Sequence, residues 1–213
     1  HASDRGYVLL LPTGHYIVGG ALAVAASFLA LRFLPAGALD SIAHSSLRLF
    51  RLPDKARAPV SLVAFLVLSI VASAGLFGSR DPLSNPLPLV VWTLLWVGLT
   101  LIQGLVGDLW AWINPWFGPY QLARRLGWPQ RLFTLPSWLG HWPALILFAG
   151  FAWFELIDIA PDDPARLGVA VVAYAAFTII MTLLVGHDEW TRRGEFLSVF
   201  FGMVARFAER AKA

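Results

Sequence analysis

Residues 59–78 read PVSLVAFLVLSIVASAGLFG, 20 consecutive positions without one charged side chain. At about 1.5 Å of rise per residue, a helix of that length crosses roughly 30 Å of hydrocarbon, the thickness of a bilayer core. Lipid offers the backbone no hydrogen-bonding partner, so a helix, which bonds its own amides, is the form such a run takes. Pro59 suits the first turn, where a missing N–H costs nothing.

Working outward, four more apolar runs of bilayer length are separated by Pro, Gly and charge. One covers 15–34 and ends at Pro35 and Gly37. The next covers 87–113, long enough to tilt or to run into the interface, and stops at Asn114-Pro115. The remaining two cover 137–157 and 165–186. A shorter segment, 195–212, places Phe196, Val199, Phe200, Met203, Val204 and Phe207 at i, i+3, i+4 spacing, the mark of an amphipathic helix lying at a membrane surface. The expected fold is therefore all-α: a single domain over 1–213, a polytopic membrane helix bundle of about five transmembrane helices with a C-terminal interfacial helix. No internal repeat is legible in the sequence.

Composition agrees. Hydrophobic residues make up 58% and charged residues only 14% of the 213, and mean hydropathy is +0.67, whereas a soluble domain is roughly a quarter charged. The 10 tryptophans suit the water–lipid boundary, where the ring is apolar and the indole N–H stays wet. A sequence pI near 9.7 suggests nucleic acid, but the net charge is only +3 and no basic cluster sits on a soluble module, so nucleic-acid binding is set aside. With no cysteine, disulfides, thiolate metal sites and thiol chemistry are excluded.

Lys and Arg in short loops stay on the cytoplasmic side. With an outside N-terminus, all of the 16 basic residues but Arg5, Arg80 and Arg166 fall on inner segments. The expected location is the bacterial inner (cytoplasmic) membrane, with the N-terminus periplasmic or extracellular and the C-terminus cytoplasmic. The chain starts at His1 rather than Met, which fits signal-peptide removal at the outer face; the alternative is the remnant of a tag.

A mature His1 offers an α-amine and an imidazole together, a chelating pair for a borderline ion, copper or zinc. His15, at the outer mouth of the first run, is the nearest second imidazole, so His1 and His15 are the candidate metal ligands. No catalytic or cofactor-binding residue stands out beyond these. Asp108 follows Gln103, Gly104 and Gly107, a small-residue seam with polar groups that suits a helix partner; Asp108 itself reads as interfacial, with Trp110, Trp112 and Trp116 as belt anchors, or as facing a wet cavity. His141 and Glu155 lie fourteen residues apart on one run, roughly 21 Å along a helix, too far to share an ion. His187-Asp-Glu-Trp before Arg192-Arg193 reads as a solvated boundary.

The stretches His1-Ala-Ser-Asp-Arg-Gly-Tyr-Val-Leu-Leu-Leu-Pro, Ala74-Gly-Leu-Phe-Gly-Ser, Val90-Val-Trp-Thr-Leu-Leu-Trp-Val-Gly, Gly107-Asp-Leu-Trp-Ala-Trp-Ile-Asn-Pro-Trp and Gly194-Glu-Phe-Leu-Ser-Val-Phe-Phe-Gly-Met resemble a family of bacterial polytopic membrane proteins labelled fenitrothion hydrolase. The resemblance runs through nearly the whole chain. It implies similarity to the N-terminal half of longer members, which continue with a second, histidine-richer membrane half, and it carries over no catalytic residue.

Three functional expectations follow. The leading one is an integral membrane subunit of a hetero-oligomeric complex, in contact with lipid and with other membrane subunits through seams such as Gly98 and Gly104. The second is a copper- or zinc-dependent membrane hydrolase or oxidase with its site at His1. The third is a small-solute transporter component, which requires broken helices or an internal repeat.

Overall fold

The computed structural model describes residues 54–210, together with Val18, Leu22 and Ala25, which are helical. Apart from those three residues the expected first span at 15–34 lies outside the described residues, as do His1 and His15. The chain divides into two units, His1–Ser46 and Leu47–Ala213, and the helices below all belong to the second.

Eight helices follow one another among the described residues: α1 (Asp54–Phe77), α2 (Pro86–Val106), α3 (Trp110–Ile113), α4 (Phe117–Arg125), α5 (Trp142–Ile157), α6 (Pro164–Val185), α7 (His187–Arg193) and α8 (Phe196–Arg210). Among the described residues there is no strand. Four segments among the described residues are long and apolar enough to cross a membrane: Lys55–Phe77, Pro86–Val106, Ser137–Ile157 and Pro164–Val185. Their outward faces carry exposed large apolar side chains, Leu66 at 58% and Ile70 at 68% on α1 for example. Water would not tolerate such contiguous apolar surface, and lipid solvates it.

The starts of two spans are set by local chemistry. Asn85 and Asp163 each accept a backbone N–H two residues on, from Leu87 and from Ala165, both at 3.0 Å. Each is followed by a proline at the first helical position, the residue whose missing N–H is no loss there. Near these ends α1 packs so closely on α2 and α6 that a Cβ on Gly75 would lie 2.2 Å from Leu87 Cδ2 of α2 and 2.9 Å from the Pro164 carbonyl of α6. Leu87, Val91 and Leu167 form the core beneath. Within α2 the turns of Leu89–Leu99 are π-helical, and Trp92 and Trp96 face Phe151 of α5.

One expectation needs correction. The third run does not continue to residue 113: α2 ends at Val106 and Gly107 takes φ +112°, a left-handed conformation that glycine adopts without Cβ strain. Hydropathy reads Leu-Trp-Ala-Trp-Ile as more span; helix packing overrides it. The C-terminal segment is helical from Phe196, as expected, and two-faced: Phe196, Leu197, Phe201 and Ala205 are buried while Met203 and Arg206 are exposed. Phe196, Leu197 and Phe201 share a core with Leu99, Trp110 and Ala144.

A repetition invisible in the sequence now appears. Each half contains a span, a loop closed by a capped Pro, a second span, a positive-φ glycine, a short helix bearing a buried tryptophan, a polar side chain that accepts the backbone N–H two residues on, and a further helix. The glycines are Gly107 and Gly186, the tryptophans Trp110 and Trp190, the polar acceptors Asn114 and Glu195.

Candidate functional site

After Val185 the chain does not leave the bundle. Gly186, at φ +91°, turns it back so that Trp190 meets Phe177 edge-on at 5.8 Å and the Glu195 carboxylate accepts the Tyr174 hydroxyl. Tyr174 is the eleventh of the 22 residues of α6, so the turn-back reaches the middle of the span, roughly 15 Å from either end. There Glu195, fully buried, accepts the backbone N–H groups of Leu197 at 3.2 Å and Ser198 at 2.6 Å, and α8 starts back out. A carboxylate is well placed at a helix N-terminus, where free N–H groups and the helix dipole favour negative charge.

The first half does the same. Past Gly107, the Trp110 N–H donates to Gln103 Oε1 at 3.3 Å, so the chain runs back beside α2, and Trp116 reaches Tyr174 with ring centroids 5.9 Å apart. Asn114 Oδ1 accepts the Trp116 N–H at 2.9 Å. The Ser61 hydroxyl of α1 donates to the Asn114 carbonyl at 2.5 Å and accepts the Gly118 N–H at 2.6 Å. Both interrupted helices thus converge on one level of α6.

Between the returning segments and α5 lies a cavity of about 910 Å³, lined by Arg57, Asp108, His141, His187, Arg192 and Arg206 among its charged and imidazole groups, and by Trp110, Trp138, Trp142, Phe148 and Phe200 among its rings. Ser198 and Asn114 are also in its wall. Three guanidinium groups face one carboxylate, so the field inside favours an anion; the aromatic walls favour an apolar body attached to it. Arg57 is held in place, donating from Nε to the Ala111 carbonyl at 2.9 Å with its guanidinium 4.2 Å from the Phe117 ring centre.

His187 is buried and packs on Phe117 and Tyr120, while Asp188, beside it at 3.2 Å, is exposed. Burial holds the imidazole below the usual histidine range, and the hydrogen bond to Asp188 opposes that shift. At the opposite end, Arg80 beside Asp163 at 2.6 Å holds that carboxyl below its ordinary value.

The residues singled out from sequence divide clearly. Asp108 is exposed in the cavity wall and accepts the Ala111 N–H at 3.0 Å. Gly104 does serve close helix packing, but within the chain, with Val204 of α8 at 3.8 Å from where its Cβ would stand. Trp110 and Trp116 are not belt anchors: both are buried in the bundle. His187-Asp-Glu-Trp is not simply a solvated boundary, since His187 and Trp190, three positions apart, both face inward. His141 reaches the cavity from the start of α5, and Glu155 stands near its far end. Among the described residues no group of three or more His, Asp or Glu side chains is close enough to hold a metal ion. Glu195, Tyr174 and Ser198 were not anticipated; a carboxylate directly before an apolar run suits a helix N-terminus but reads equally as a membrane boundary.

Comparison with protein-family models, with curated proteins and with solved structures gives no match. The class rests on the fold: a multi-pass helical membrane protein.

Proposed function

We propose that this chain is a small-solute carrier component that takes up small organic anions, seated in the bacterial inner membrane with its cavity open to the cytoplasm. One observation carries the reading: two interrupted helices converge beside an arginine-rich, aromatic-walled cavity. Interrupted helices that place polar groups at mid-membrane depth are how carriers bind solutes where lipid excludes water. The orientation follows the charge asymmetry of the loops, which puts the cavity arginines on the inner side. Partner subunits fit the same reading, because Gly150 leaves an exposed notch on α5 with nothing within 4 Å of its would-be Cβ.

The test is calorimetric titration of the full chain in nanodiscs with benzoate, an anion with a flat apolar body. Benzoate binds the wild type, and Arg206→Gln weakens it about tenfold, equivalent to ~1.4 kcal/mol. Absence of binding, or equal affinity in both proteins, overturns the proposal.

A further inference from the structure

Glu195 has no place in solute contact: it is not in the cavity wall, and the anion-favouring field would gain nothing from a carboxylate behind it. Its surroundings nevertheless connect it to that wall. Ser198 is in the wall, and its backbone N–H donates to Glu195 Oε2 at 2.6 Å. The Ser198 hydroxyl in turn accepts Trp110 Nε1 at 3.0 Å and Asn114 Nδ2 at 3.1 Å. On the other side, the Tyr174 hydroxyl donates to Glu195 Oε1, and Thr178 and Thr182 continue the same face of α6 one and two turns further, both fully buried. A carboxylate inside a bilayer-spanning bundle is costly and marks a proton or ion pathway more often than a packing role.

We infer that Glu195 is the proton-binding site that couples to anion binding in the adjacent cavity. This rests on the anion reading of that cavity. The chemistry is a single transfer: the Glu195 carboxylate takes one proton from solvent reaching the cavity wall and becomes a neutral carboxyl, with no bond to the anion made or broken. An anion entering beside Ser198 is repelled by a charged Glu195 and not by a protonated one, so anion binding draws in a proton and protonation draws in the anion. Tyr174 gives the carboxylate a donor when charged and, by rotating its hydroxyl, an acceptor when protonated.

Other titratable or charged groups surround the same space and must be separated from Glu195. They are Tyr174 of α6, Arg57 of α1, Asp108 ahead of α3, His141 ahead of α5, His187 and Arg192 of α7 and Arg206 of α8 itself. Glu189 of α7 is paired with Arg193 at 2.6 Å and with Arg192 at 3.4 Å.

The experiment counts protons. Benzoate is titrated calorimetrically into the full chain in nanodiscs at several pH values, each in two buffers of different ionisation enthalpy. The wild type takes up close to one proton per benzoate at the higher pH values. Glu195→Gln, neutral at every pH, still binds benzoate but without that uptake, whereas His187→Gln keeps it. Tyr174→Phe, which retains the carboxylate and removes its donor, moves the midpoint of proton uptake to higher pH. Equal uptake in the wild type and Glu195→Gln overturns this inference alone. If Glu195→Gln fails to fold, an unmoved midpoint in Tyr174→Phe overturns it. Absence of benzoate binding in the wild type overturns the cavity reading and this inference with it.

Discussion

Asn114 and Ser198 join the two returning segments across 84 positions of sequence, Asn114 Nδ2 donating to Ser198 Oγ at 3.1 Å. Trp110 Nε1 donates to the same oxygen at 3.0 Å. One hydroxyl therefore holds both interrupted helices in register at the edge of the cavity.

Ser198→Ala strands both donors. An unsatisfied buried polar group costs ~1–3 kcal/mol, so the variant should lower the melting temperature of the detergent-solubilised protein measurably. Ser198→Thr, which keeps the hydroxyl, should lose less. Equal melting of wild type and Ser198→Ala would mean that this contact does not hold the segments together.

The α1–α6 crossing has no room for a methyl group at Gly75. Gly75→Ala should destabilise by ~1–3 kcal/mol, the usual cost of overpacking. Gly150→Ala, with nothing within 4 Å, should be neutral or slightly stabilising, since alanine is the better helix former by ~0.5–1 kcal/mol. Thermal melts of the two variants check the contrast. A tolerated Gly75→Ala would place the crossing elsewhere.

The Arg80–Asp163 latch makes stability pH-dependent at the acid end. Asp163 accepts from Arg80, and that hydrogen bond lowers its carboxyl below the ordinary value of the unfolded chain. A group lowered on folding contributes stability above its unfolded value, roughly 3.9, and loses it as pH falls through the lower folded value. Melting curves between pH 6 and pH 3 should show the wild type losing stability faster than Asp163→Asn below about pH 4, with parallel curves above pH 5. Identical curves throughout would show that the Arg80 pair makes no net contribution.

The spans were legible because 59–78 and its counterparts are uninterrupted apolar runs, and α1, α5 and α6 start or stop within a few residues of where Pro and Gly punctuate the sequence. The returns were not legible, for two physical reasons. Leu109 to Ile113 is apolar, so hydropathy carries the span straight through the Gly107 break; only the pairing of a positive-φ glycine with an aspartate that caps Ala111 betrays the turn. His187 to Arg193 is charged on average, yet α7 is a helix, and its three-residue spacing separates a buried face bearing His187 and Trp190 from an outer face bearing Asp188. Averaging over a window erases that separation. Glu195 was invisible because a carboxylate beside an apolar run reads as a boundary, whereas its caps and Tyr174 hold it inside the bundle.

The central claim is that the chain beyond Val185 re-enters the bundle and opens it to water, and thiol reactivity tests this on a protein that has no native cysteine. Val199 stands in the cavity wall next to Ser198, whereas Leu66, thirteenth of the 24 residues of α1, is 58% exposed on its apolar outer face. In oriented membrane vesicles Val199→Cys should react with a charged, membrane-impermeant thiol reagent from the cytoplasmic side, and benzoate should slow that reaction, while Leu66→Cys stays inert. A Val199→Cys as inert as Leu66→Cys, or one that reacts only from the periplasmic side, would contradict it.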